Sequence, residues 1–154
     1  MKIAVLLIAT GLLGTVLLLA WPWINVVETG RTPEYSDLVP QSYRAEPERV
    51  FDAALHAIHR LSRWTLIAVH PEAGEIRAEA RTLVLRFVDD IHIKIASADT
   101  GAQELEPLTK DPRTVVGVRS ASRVGRADFG QNARNVRAFF AALNRQLSNE
   151  VAQY

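Results

Sequence analysis

No cysteine occurs anywhere in the 154 residues. That absence excludes a disulfide framework, a thiolate metal site, a cysteine nucleophile and a lipid-modified cysteine behind a signal segment. Net charge is almost missing too, at +1, so the field that non-specific nucleic-acid binding requires is not there. Neither common Gly-rich phosphate loop is present. The serines lack the glycine-flanked elbow of an α/β-hydrolase nucleophile. With eight glycines and seven prolines there is no collagenous or low-complexity bias, and no internal repeat is visible.

Charge is wholly absent between Lys2 and Glu28. What fills the gap is an almost unbroken run of Ile, Val, Leu and Ala from Ile3 to Ala20, followed by Trp21, Pro22 and Trp23. About 20 apolar residues suffice to span a bilayer as a helix, and tryptophans favour the membrane interface. Residues 1–24 therefore read as a transmembrane anchor or signal segment. The uncleaved anchor is favoured, because Leu18 and Trp21 flank a cleavage site after Ala20 poorly and the run exceeds a usual signal core. Lys2 favours an N-terminus in the cytoplasm and the rest of the chain outside it. The expected localisation is the cell membrane, single-pass; the alternative is a secreted or periplasmic protein released by signal cleavage.

Residues 25–45 carry Gly30, Pro33 and Pro40 among polar residues and read as a linker, with one short extended piece over 39–43. Residues 46–154 read as a single α+β domain of ordinary size. Pro47 suits the first position of a helix over 47–63, in which Val50, Ala54, Ile58 and Leu61 recur at helical spacing, broadened by Phe51 and Leu55. A short apolar strand over 64–69 and a turn over 70–74 lead to a strand over 75–82. There Ile76, Ala78 and Ala80 alternate with charged residues, the signature of a half-buried antiparallel strand. A third strand over 85–96 puts Phe87, Ile91, Ile93 and Ile95 on its apolar face. Strict alternation puts Asp89 there too, where a carboxylate needs either a bulge that turns it out or a buried partner. The nearby arginines are the expected partners. A polar loop over 97–112 precedes a fourth strand over 113–122. A last helix follows, with Ala133, Val136, Phe140, Leu143 and Leu147 on its stripe and Phe139 beside them. The expected architecture is helix, four-stranded antiparallel sheet and C-terminal helix, with both helices on one sheet face.

The chemistry concentrates where the fourth strand turns into the last helix. Arg119, Arg123 and Arg126 fall within eight residues, with Ser120, Ser122 and Asn132 as further hydrogen-bonding groups. Asp128 stands at a helix N-cap, and Gln131 three residues later completes a capping-box pattern. Helix N-termini and arginines both suit a phosphate or carboxylate. The competing reading is a structural corner, with Asp128 as cap and Asp89 or Asp90 orienting an arginine. Other polar groups carry less. His56 and His59 lie three apart on the first helix without a third ligand. Asp90 and His92 share a strand face that reads as wet, whereas acid–base catalysis needs a closed site. No metal site and no cofactor is expected.

The run from Asp89, Asp90 and Ile93 to Arg119, Ser120, Ser122, Arg123, Gly125, Asp128, Gly130, Asn132, Arg137 and Phe139 has a specific spacing: D-D-x-x-I, then R-S-x-S-R-x-G-x-x-D-x-G-x-N-x-x-x-x-R-x-F. It resembles the bacterial domain of unknown function 1499 family. The segment from Tyr43 to Phe51, Y-x-x-x-P-E-x-V-F, is similar to that family's opening helix. The resemblance covers roughly residues 32–147; the stretch over 100–112 is longer than the usual connection. It implies a bacterial, membrane-anchored or exported protein and supplies no activity.

These readings converge on a membrane-anchored envelope protein with a non-enzymatic binding or scaffold domain. Its partners would be the membrane, through the N-terminal helix, and an anionic ligand or another envelope protein; nucleic acid is not expected. The alternative is a hydrolase or lipid-modifying enzyme using the same polar corner.

Overall fold

A computed structural model describes residues 24–83, 86–98, 112–125 and 128–151. The expected anchor over 1–24 therefore lies outside the described residues but for Ile24, as do Arg126 and most of the loop over 97–112. Among the described residues no helix is long and apolar enough to cross a membrane.

Helix α1 spans Pro47–Arg60. Pro47 occupies its first turn, Glu48 complements the positive N-terminal end, and His59 and Arg60 the negative C-terminal end. It buries Val50, Phe51, Ala53, Ala54, Ala57 and Ile58. It stops three residues earlier than the sequence predicts, because Leu61 is already extended and Arg63 has φ 67°.

Strands β3 (Trp64–His70) and β4 (Glu75–Arg81) form the expected hairpin. A 3-10 turn over Pro71–Ala73 joins them, and Gly74 closes it at φ 62°. A glycine is required there. A side chain would need a left-handed backbone and would overlap the Ile95 carbonyl oxygen. Strand β3 carries a register shift between Leu66 and Ala68 that leaves Ile67 exposed. Strand β5 (Val88–Ser97) pairs with β4 and with β6 (Thr114–Ser122), both antiparallel. Ile76, Ala78, Ala80, Ile91, Ile93, Ile95, Val116 and Val118 all point into the core.

The sheet has six strands rather than four. The two additional strands come from the stretch read as linker: β1 (Val26–Glu28) and β2 (Gln41–Tyr43) pair side by side along the free edge of β6. Strand β2 falls within the extended piece expected over 39–43, whereas three residues are too few to show alternation and nothing in the local sequence marks β1. Thr29 joins the two pieces: its backbone N–H donates to the Val118 carbonyl at 3.0 Å and its hydroxyl accepts the Val118 N–H at 3.0 Å. The order across the sheet is β1 and β2, then β6, β5, β4, β3.

Helix α2 spans Gln131–Val151 and packs on α1, β6 and β1. Val136, Phe139, Phe140, Ala142 and Leu143 fill the core between helices and sheet, and Phe139 stacks on Trp64 with ring centroids 6.3 Å apart. Arg137 ties α2 to the turn over Pro33–Tyr35 that precedes β2, through Asp37 at 2.7 Å and the Tyr35 ring at 5.7 Å. That contact holds the Asp37 carboxyl below its ordinary range, chiefly by the hydrogen bond from Arg137.

Candidate binding cleft

Strand alternation divides the predicted corner in two. Ser120 and Ser122 continue the inward row of Val116 and Val118, whereas Arg119 stands on the outer face. Asp89 stays on the inward face with no bulge near it, and it is 2% exposed. Among the described residues its partners are not Arg119 or Arg123. Oδ1 accepts the Ser122 hydroxyl at 2.7 Å and Oδ2 accepts Asn135 Nδ2 at 2.9 Å. The described partners of Asp89 are neutral, since the strand turns Arg119 and Arg123 to the opposite side.

A continuous hydrogen-bonded network builds on that carboxylate. Asn135 Nδ2 also reaches Ser120 Oγ at 3.2 Å, and Ser120 donates to Asn132 Oδ1 at 2.6 Å. Asn132 Nδ2 donates to Ser122 Oγ and to the Asn25 carbonyl, both at 2.9 Å. Ser120, Asn132 and Asn135 are all buried, and buried polar groups must be paired. The network thus links the start of β5, the end of β6, the first turn of α2 and the chain just before β1.

The helix cap differs from its sequence pattern. Helix α2 begins at Gln131, and Asp128 caps it from farther back: its carboxylate accepts Gly130 N–H at 2.9 Å and Asn132 N–H at 2.6 Å. Phe129 and Gly130 make the turn at φ 50° and 76°. Gln131 does not reach back to complete a capping box. Its amide donates to Asn135 at 2.9 Å, and its oxygen accepts from Arg134.

On the outer face Arg123 makes a tight cluster with Asp90 and Glu79, each at 2.6 Å. The hydrogen bonds that Arg123 donates to Asp90 first, then to Glu79, raise the guanidinium's already high pKa further. Arg119 is exposed, opposite His92 and Glu28 in the sheet register. His92 Nε2 lies 3.4 Å from Glu75 without a hydrogen bond. His56 and His59 are exposed on α1. Among the described residues no group of acidic or histidine side chains is arranged to hold a metal.

Above the network lies a cleft of about 490 Å³. Asp89, Ser122, Asp128, Gln131 and Arg134 line its polar side, and Leu83, Phe87, Val124 and Phe129 its apolar side. Those four make up most of the large apolar side chains exposed among the described residues, the others being Val39 and Ile67. A second hollow of about 610 Å³ lies at the far end, between the start of α1 and the β3–β4 turn. No buried polar side chain lines it.

The structure thus brings Asp89, Ser120, Ser122 and Asn132 together, with Asp128 beside them, and sends Arg119, Arg123 and Asp90 to the other face. Asn25, Asn135 and Arg134 belong to the same end without being expected there, as does Gln131, which the sequence offers only as the capping partner of Asp128. Their signal was there: Asp89, Ser120, Asn132 and Asn135 are polar intrusions into otherwise apolar faces, and all fall at one end of their elements.

No curated protein and no solved structure matches the chain. The family model described as "Protein of unknown function (DUF1499)" matches residues 22–143, from just before β1 to the middle of α2. That span holds every residue of the network and the cleft, and the chain belongs to the DUF1499 family.

Proposed function

We propose that this is a membrane-anchored, non-enzymatic binding domain, held in the cell membrane by residues 1–24 with the rest outside the cytoplasm, and that its ligand site is the cleft over the Asp89 network. The observation that carries this reading is that exposed Leu83, Phe87, Val124 and Phe129 share one cleft with the buried Asp89 carboxylate and the Ser122 hydroxyl bonded to it. Ligand sites combine an apolar lining with a few convergent polar groups in this way. The matching ligand is amphipathic. Its head would carry hydroxyl or ammonium donors, because a carboxylate has about four acceptor sites and Asp89 and Asp128 both face the cleft. The arginine-rich outer face, the anion site expected from sequence, is the lesser candidate: an anion there would compete with Asp90 and Glu79 for Arg123.

The test uses the full chain in lipid nanodiscs with a dansylated long-chain alkylamine and the matching fatty acid. Saturable binding of the amine above empty nanodiscs, lost in Leu83→Ser and Phe129→Ser, supports the reading; binding unaffected by both variants refutes it. The enzyme alternative has one observation behind it, the Ser122 hydroxyl 2.7 Å from Asp89. Among the described residues no imidazole stands beside that serine to serve as base. Labelling by a fluorophosphonate, abolished by Ser122→Ala, would establish the enzyme instead.

A further inference from the structure

The first described residues arrive at the cleft. The Ile24 carbonyl accepts the Asp128 N–H at 3.0 Å, the Asn25 carbonyl accepts the Ser122 N–H at 2.8 Å, and Asn25 Nδ2 donates to the Gly125 carbonyl at 3.1 Å. Ile24 and Asn25 are thus held against the loop that carries Val124 and Phe129, and the chain that precedes them joins the domain at that point. On the anchor reading, the membrane therefore lies on this side of the domain.

Three further observations single out the same end. Leu83, Phe87, Val124 and Phe129 are exposed there together. Arg63, Arg81 and Arg86 surround a hollow beside Leu83, and all three are exposed. The non-glycine residues with positive φ among the described residues are Arg63, Arg86 and Phe129, all of them here. Such backbone strain concentrates at functional surfaces, and it holds these side chains outward. Apolar tips flanked by arginines are the pattern of a surface that enters a lipid interface.

We propose that this end of the domain docks into the bilayer that residues 1–23 enter, with Leu83, Phe87, Val124 and Phe129 in the apolar layer and Arg63, Arg81 and Arg86 among anionic headgroups. The proposal rests on the anchor reading given above. It places the mouth of the cleft at the lipid interface, where an amphipathic ligand is concentrated.

The cysteine-free chain makes the test clean. Single cysteines at Leu83, Val124 and Phe129, and at Ala73 as control, are labelled with the fluorophore NBD in the full chain. Ala73 lies beyond the other end of β4, about 24 Å away at the rise of an extended strand. The proteins are reconstituted in vesicles of phosphatidylcholine and phosphatidylglycerol, with or without brominated acyl chains. The expected result is flotation with the vesicles and at least twofold stronger bromine quenching at Leu83, Val124 and Phe129 than at Ala73. Arg63→Glu with Arg86→Glu should weaken that quenching. Flotation with equal quenching at all four positions overturns docking and leaves the anchor standing. Failure to float overturns both. Labels shielded from aqueous iodide yet not quenched by brominated lipid show a protein cover, and overturn the lipid as occupant.

Discussion

Asn132→Ala separates a structural network from a ligand contact. The sequence offers Asn132 as a binding residue, but in the fold its side chain is 0% exposed and makes three hydrogen bonds, to Ser120, Ser122 and the Asn25 carbonyl. An amide has two donors and two acceptor sites, so three of its four capacities are in use. Each bond contributes about 1 kcal/mol net, so the substitution should cost about 3 kcal/mol, with more if the Ser120 hydroxyl and Asn25 carbonyl stay dry. For a domain of this size that lowers the melting temperature by about 10 °C. The assay is urea denaturation of the full chain in micelles, followed by far-ultraviolet circular dichroism. Ser120→Ala completes a cycle. Removing the hydroxyl that Asn132→Ala strands should recover about 1 kcal/mol relative to additivity. A cost below about 1 kcal/mol, or strict additivity, would mean that water replaces the amide freely and that the network does not bind the elements together.

Other positions give independent checks. Phe139→Ala removes a ring that is 0% exposed and stacked on Trp64, and should cost about 3–5 kcal/mol in the same denaturation assay. Gly74→Ala adds the clash with the Ile95 carbonyl oxygen to the about 1–2 kcal/mol of a left-handed backbone, so its melting temperature should fall by more than that penalty alone predicts. The Asp37 carboxyl is held below its ordinary value by Arg137, so its contribution is fully present above an unfolded value of about 3.9 and is lost as pH falls through the lower folded value. The stability gap between the native chain and Asp37→Asn should therefore be level near neutrality, shrink only in acid, and narrow in high salt, because the pair is exposed.

The parts of the fold legible in sequence are those where one residue's neighbours decide its face. Ile76, Ala78 and Ala80 alternate with Glu75, Arg77, Glu79 and Arg81, and the structure buries the first set while the second faces outward. Val50, Ala54 and Ile58 mark the buried face of α1 in the same way. Strand β1 was not legible, and β2 only as a short extended piece, because what makes them strands of the sheet is the free edge of β6, some ninety and seventy residues away in the chain. The corner was half legible. Its residue types are those of the observed site, but adjacency in sequence implied adjacency in space, and a strand sends successive side chains to opposite faces. Applying the alternation already used for Asp89 to residues 119–123 would have separated Arg119 from Ser120.

The placement of the polar network has a consequence for how the domain is held. A sheet and two helices could close at this end with more valine and leucine, as they do around Ile93, Val118 and Val136. A buried polar network offers little net stability over such packing, but it satisfies its groups in one arrangement only. One of those groups is the Asn25 carbonyl, bonded by both the Ser122 N–H and Asn132. The network therefore fixes where Asn25 sits against the domain, which apolar contacts would leave free to slide. A domain that only had to be compact would need no such constraint; one that must keep Asn25 beside the loop of Val124 and Phe129 would.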